Sequence, residues 1–179
     1  MDNSSSSFKT QQGEANYMAT YDAALAMWPI PSEPLDIPTR FGITHANACG
    51  PRGAQPLILL HALSFTSTMW YPSIACLSER FRVYALDTIN DIGKSRPTRP
   101  LQNRRDCAEW LGDVLVELGI KQASFAGVSF GGWLAVNFAL NAPDQVRQTV
   151  AISPAATFEK DERKKHQLKI NEKSMDGFI

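Results

Sequence analysis

Gly127, Ser129 and Gly131, with Val128 and Phe130 between them, have the types and spacing of a nucleophile elbow, the G-x-S-x-G turn that lifts a serine hydroxyl to the top of a parallel sheet. The chemistry such a serine would do is acyl transfer: attack on an ester carbonyl, an acyl-serine intermediate, and its hydrolysis by water. Glycine and serine also make ordinary tight turns, so the flanks decide what the pattern means. Ala123-Ser124-Phe125-Ala126 before it suits a buried strand. Residues from Gly132 to Leu140 after it are apolar on nearly every face and suit a buried helix. Between a strand end and a helix start the chain must bend sharply, and the two glycines remove Cβ atoms that would collide there. Ser129 then stands at the positive end of the helix dipole, where a negative oxyanion is stabilised.

An acyl-transfer site also needs two N–H donors aimed at the developing oxyanion, each lowering the barrier by about 3 kcal/mol. One usually comes from the residue after the nucleophile, here Phe130. The other comes from the loop after an earlier strand, and Leu63 in His61-Ala62-Leu63-Ser64-Phe65 is the candidate. The same segment would otherwise be a plain strand-to-helix connection. His61 is expected to brace this loop through backbone hydrogen bonds rather than act as general base. His45, inside an expected strand, is a surface or structural histidine. Asp87, Gly93 and Ser95 follow another strand. Their spacing suits a capped loop in which the carboxylate accepts backbone N–H groups and the glycine takes an unusual dihedral.

The elements that must position these residues follow from pattern. Residues 1–13 are Ser/Gln-rich and expected to be disordered. Tyr17, Met18, Tyr21, Leu25 and Trp28 sit at helical spacing within 14–28, and Pro29, Pro31 and Pro34 end that helix. Strands are expected at Leu35–Phe41, Ile43–Ala48, Leu57–Leu60, Arg82–Leu86 and Gln148–Ile152. The unbroken run Leu57-Ile58-Leu59-Leu60 suits a strand covered on both faces. A short helix is expected from Tyr71 to Leu77, with Pro72 in its first turn. The clearest period covers Asn103 to Leu118, where Cys107, Trp110, Leu111, Val114, Leu115 and Leu118 recur at i, i+3, i+4, i+7, i+8 and i+11. Asn103 is a good N-cap and Gly119 a good C′ residue. Strands alternating with helices make a doubly wound, mostly parallel sheet, whose ligands bind beyond the carboxyl ends of the strands.

The 179 residues carry 18 basic and 18 acidic side chains, so no charge surplus asks for nucleic acid or a cationic partner. Cys49, Cys76 and Cys107 have no metal-like spacing and read as reduced, mostly buried thiols of a cytoplasmic protein. No apolar run is long enough to span a membrane, and the polar N-terminus lacks the layout of a secretory signal. No cofactor or metal is expected.

Together these residues resemble the α/β-hydrolase superfamily, and within it the bacterial carboxylesterases. The likeness covers residues 17–158. It rests on Trp28-Pro29, Thr39-Arg40-Phe41-Gly42, Leu59-Leu60-His61, Ser67-Thr68-Met69-Trp70-Tyr71-Pro72, the elbow Gly127–Gly132, and Ile152 to Phe158. The resemblance implies a serine hydrolase of carboxylic esters, with Ser129 as nucleophile and the N–H groups of Leu63 and Phe130 as oxyanion hole. Two departures stand out. His61-Ala62 replaces the usual His-Gly, so a methyl group enters the loop. The Asp87 loop is one residue longer than usual, with Asn90 where a glycine commonly falls.

Triad members in this fold come in the order Ser, then Asp or Glu, then His. The acid and histidine would follow later strands, and none is legible after Ile152. A charged tail spans 159–179, and its Asp161, Asp176 and His166 have no pattern that would fold them back over Ser129. The chain thus reads as a sheet truncated after about its sixth strand, without a cap, with little or no activity expected in this form. The edge left after Ile152 would be prone to self-association. A non-catalytic binding module is the alternative, and perhydrolase or lactonase chemistry on the same fold also fits. Phe65, Trp70 and Phe130 suggest either an apolar acyl pocket or core packing.

Overall fold

The computed structural model describes residue 8 and residues 10–155. The expectations for the first residues and for the tail with Asp161, His166 and Asp176 lie outside the described residues. Helix α1 runs Gln11–Leu25, and the sheet strands are β1 Glu33–Thr39, β2 Gly42–Cys49, β3 Gln55–Leu60, β4 Phe81–Leu86, β5 Arg96–Pro97, β6 Ala123–Val128 and β7 Val146–Ile152. The remaining helices are α2 Ile74–Ser78, α3 Arg104–Glu117 and α4 Phe130–Asn141. The strand order is β1-β2-β4-β3-β6-β7, with β5 paired to the start of β2. β1, β2 and β5 are antiparallel additions, whereas β4, β3, β6 and β7 run parallel. The expected doubly wound, mostly parallel sheet is therefore present.

β3 shows why an unbroken apolar strand belongs at the centre. Ile58 and Leu60 enter one core cluster with Trp110, Phe125, Leu134 and Phe138. Leu57 and Leu59, of opposite parity, enter a second cluster with Trp28, Trp70 and Ile74 on the other face. α3 buries the residues its period marks, Cys107, Trp110, Leu111, Val114 and Leu115. The Asn103 side chain accepts from the Asp106 N–H at its start, and Gly119 takes φ 68° just past its end. Trp110 is fully buried, and its indole N–H donates to Thr44 Oγ1 on β2 at 2.7 Å, fixing helix to sheet. Burial pushes the Cys49 thiol up to about 11 and the Cys107 thiol up to about 12. Cys49 and Cys107 are buried and Cys76 is exposed, in keeping with the expectation of mostly buried thiols.

Several boundaries differ from the sequence expectation. α1 begins at Gln11 because the Thr10 side chain caps the Gly13 N–H, so the end of the expected disordered stretch is helical. It stops at Leu25, before Trp28, whose indole N–H instead donates to the Thr68 carbonyl. The helix expected over Tyr71–Leu77 is α2, which starts three residues later at Ile74; a separate 3-10 turn, Ser67–Trp70 capped by Thr66, precedes it, with Pro72 between them. Proline has no N–H to continue the turn into α2. β5, Arg96–Pro97, lies outside the strands expected from pattern. α4 begins two residues before Gly132, at Phe130, and β7 two residues before Gln148, at Val146. Phe125 is 1% exposed and packs on Phe138 with ring centroids 5.0 Å apart. Replacing it with alanine should lower unfolding free energy by about 3–5 kcal/mol, read from the urea midpoint by tryptophan fluorescence. A shift below about 1 kcal/mol would show that this face of the sheet is not close-packed.

Candidate active site

The register of the sheet brings the candidate residues to one rim. Leu60 pairs with Gly127, so β3 and β6 reach their carboxyl ends at the same level. Adjacent strands lie about 4.8 Å apart, which makes the loop after His61 and the turn at Ser129 immediate neighbours. Ser129 is the N-cap of α4 with φ 52° and ψ −113°, a left-handed backbone that a serine adopts only under constraint. The constraint is visible in its backbone bonds. Its N–H donates to the Ile152 carbonyl at 2.9 Å, and its own carbonyl accepts from Trp133 and Ala155 N–H groups at 3.0 Å each. The hydroxyl makes no capping bond, so helix α4 does not use it.

The glycines are where contact is closest. A Cβ on Gly127 would overlap the Gly131 carbonyl, and a Cβ on Gly131 would overlap the carbonyls of Leu60 and, at 2.6 Å, His61. Gly131 thus lets the first turn of α4 rest directly on the end of β3, where the Leu63 loop departs. The first-turn amides of a helix have no i−4 acceptor within it and face its N-terminus. Phe130 supplies one of them. Its ring stacks on Trp133, with centroids 5.5 Å apart.

The loop that carries Leu63 is held by the side chains of His61, Asp87 and Asp91. His61 is fully buried. Its Nδ1 lies 2.8 Å from the Ala62 carbonyl, and its Nε2 accepts the Thr88 N–H at 2.8 Å. That fixes the proton on Nδ1 and occupies both ring nitrogens, in the bracing role expected of it. Asp87, also fully buried, accepts the Ser67 and Lys94 N–H groups at 2.8 Å each. Gly93, at φ 145°, leaves room for that carboxylate. Ser95 completes the capped loop by donating to the Asp87 carbonyl. Asp91 receives the Ser64 N–H through both carboxylate oxygens, at 2.9 and 3.2 Å. Ser64, not Ala62, takes the positive φ of this loop (62°), so the alanine in place of the usual glycine meets no dihedral it must refuse. Asn90 carries the left-handed dihedral of the lengthened loop, φ 68°. Between these anchors the Leu63 N–H donates to no described residue, and the Leu63 side chain is 42% exposed.

Sequence reasoning missed a polar cluster that ties α1 to this loop. The Tyr21 hydroxyl lies 2.9 Å from Ser67 Oγ, and Asn47 donates to both. Burial first, then the nearby Asp87 carboxylate, push the Tyr21 phenol far above its usual range. Lys94 adds an ion pair to Asp22 and lies over the Tyr21 ring. The partners come from separate elements, and only the helical position of Tyr21 was legible. Trp70 belongs to the buried cluster, which removes it from the pocket candidates, whereas Phe65 is 55% exposed.

No described imidazole reaches Ser129. His45 is buried on β2, with Nδ1 3.0 Å from Asp36. Three strand spacings, roughly 14 Å, separate β2 from β6. Among the described residues there is no cluster of His, Cys, Asp or Glu that could hold a metal ion. No helix among them is long and apolar enough to cross a membrane.

Comparison with known proteins gives the family. A family model described as the alpha/beta hydrolase fold matches residues 55–179. Carboxylesterase YbfK of Bacillus subtilis (strain 168) is 47% identical over 151 residues, covering 84% of this chain and 51% of the relative. The uncharacterized carboxylesterase nap of the same organism is 44% identical over 159 residues, 88% of this chain and 53% of the relative. The crystal structure of naproxen esterase (carboxylesterase NP) from Bacillus subtilis superposes with a TM-score of 0.85 at 39% identity, covering 95% of this chain and 59% of that one. The chain spans about half the length of the curated relatives it matches.

The turn geometry is testable apart from any activity. Gly127→Ala and Gly131→Ala each drive a Cβ into backbone and should cost more than about 3 kcal/mol, seen as loss of soluble protein or of the cooperative melt. Gly112→Ala, in α3 with open space around it, should be neutral or stabilising by about 0.5–1 kcal/mol in the same melt.

Proposed function

The chain belongs to the α/β-hydrolase fold family, and we propose from that premise that it is the nucleophile-bearing part of an esterase-type serine hydrolase. One observation carries the proposal: Ser129 is held in a left-handed dihedral at the head of α4, with its hydroxyl free of any capping duty. In the complete reaction, Ser129 Oγ attacks the carbonyl carbon of a small ester and its proton passes to an imidazole. The oxyanion accepts the N–H groups of Leu63 and Phe130, and the tetrahedral intermediate collapses with loss of the alcohol. Water then cleaves the acyl-serine by the same path in reverse roles. Exposed Leu63 and Phe65 supply apolar surface beside the acyl group. The three free thiols suit a cytoplasmic location.

With both described histidines committed elsewhere, this chain by itself turns over esters slowly or not at all. Removal of a triad histidine costs on the order of 10⁶ in turnover in a well-studied serine protease. The same observation favours a second reading, a binding module that retains the elbow without using it. A fluorophosphonate probe separates the two. Slow labelling of the folded chain, mapped by mass spectrometry to Ser129 and lost in Ser129→Ala, is the expected outcome. A folded chain that never labels there would favour the binding module.

A further inference from the structure

The carboxylate of Asp91 grips the chain immediately beside Leu63. Its side chain is 8% exposed, and it accepts main-chain N–H groups: Ile92 at 2.8 Å, and Ser64 at 2.9 and 3.2 Å. Ser64 holds φ 62°, a left-handed dihedral that serine keeps only where its surroundings fix it. The residue before Leu63 is fixed as well. The Ala62 carbonyl accepts from His61 Nδ1–H at 2.8 Å and from the Phe65 N–H at 3.0 Å. That carbonyl and the Leu63 N–H share one peptide plane and, the bond being trans, point in opposite directions. Pinning the carbonyl on the His61 side therefore turns the Leu63 N–H away from it. A flip of this plane would have to be absorbed by the residues on either side, and Asp91 holds the one that follows.

These anchors form a closed circuit. His61 Nε2 accepts the Thr88 N–H, the Thr88 carbonyl accepts the Asp91 N–H at 3.1 Å, and Asp91 accepts the Ser64 N–H. The chain then leads back through Leu63 and Ala62 to His61. Asp91 Oδ2 also lies 4.0 Å from His61 Nδ1. Inside the circuit the Leu63 N–H is the amide with no acceptor among the described residues. We infer that Asp91 is a positioning residue: by fixing Ser64 it keeps the Leu63 N–H aimed at the oxyanion that forms over Ser129. This rests on the reading of Ser129 as a nucleophile. Asp87 does not share the task, because its carboxylate takes the N–H groups of Ser67 and Lys94, farther from Leu63 along the chain. Nor is Asp91 an acid of the reaction, since the imidazole beside it has both nitrogens bonded to backbone.

The test uses the full 179-residue chain. In native-state hydrogen exchange the Ser64 amide of the parent should be protected and the Leu63 amide open to water. Order parameters from ¹⁵N relaxation should be about 0.85 at Leu63 and Ser64 in the parent and below about 0.6 in Asp91→Ala. Asp91→Ala should also lower the maximal rate of fluorophosphonate labelling at Ser129 by about tenfold or more, because one oxyanion donor is misaimed. The half-saturating probe concentration should stay within about twofold. Asp91→Asn, whose Oδ1 still accepts the Ser64 N–H, should label within about threefold of the parent. A merely structural role would lower the melting midpoint without splitting the two labelling constants. Should Asp91→Ala fail to fold, Asp91→Glu takes its place: the added methylene displaces the clamp while keeping its charge, and the same losses are expected. Three results would overturn the inference: a Ser64 amide that exchanges as fast as Leu63 in the parent, a folded clamp variant whose Leu63 amide stays ordered, or one that loses this order and labels at the parent's rate. A parent that never labels would instead refute the nucleophile reading, and the order at Leu63 would still decide whether Asp91 holds the amide.

Discussion

The structure depends on two missing Cβ atoms. At Gly127 and Gly131 the backbone of β6, the first turn of α4 and the end of β3 come closer than any side chain allows. That contact turns the chain through the left-handed Ser129 and points α4 at the sheet rim. It also brings the helix terminus beside the loop leaving β3. The position of Ser129 at the sheet rim, beside the loop that follows β3, is a consequence of that packing distance. The cost of the strained serine, about 1–3 kcal/mol, is offset by the buried helix it launches, with Leu134, Ala135 and Phe138 in the core.

Around this turn the protein invests its buried polar groups in backbone rather than in side-chain pairs. His61, Asp87 and Asp91 each accept or donate to main-chain groups of loops that surround the rim. Buried ionisable residues in a hydrolase-like cleft invite assignment as acid or base, but here their bonds are already committed to shape. The Asp36–His45 pair on the far strands is likewise structural. These loops are held without help from secondary structure, which explains how an exposed stretch such as residues 62–65 keeps in place one amide that donates to no described residue.

Local signals were legible. The glycine spacing of the elbow, the period and both caps of α3, and the two-faced apolar run of β3 each follow from residues within a dozen positions of one another. Failures have a common origin in long-range partners. β5 contains Pro97 and exists because Gly42 and Ile43 lie opposite it. The cluster of Tyr21, Asn47, Ser67 and Asp87 joins a helix, two strand ends and a 3-10 turn, and no spacing announces it. Asp91 sits beside Asn90 in a polar loop like many others, so nothing marked it as the clamp on Ser64. α4 is apolar all round, so its period gave no start point; its first residue is set by the collision geometry of Gly131.

The strand order has a consequence for how the polypeptide is made. Every pairing from β1 to β6 joins segments that have all been synthesised before β7 emerges. Once β4 has inserted between β2 and β3, the two long strands still to come both add on the β3 side, β6 first and β7 outside it, while the short β5 pairs with β2. The nascent molecule therefore keeps the edge of β3 open through the synthesis of β4 and β5 until β6 covers it, and β7 then covers β6.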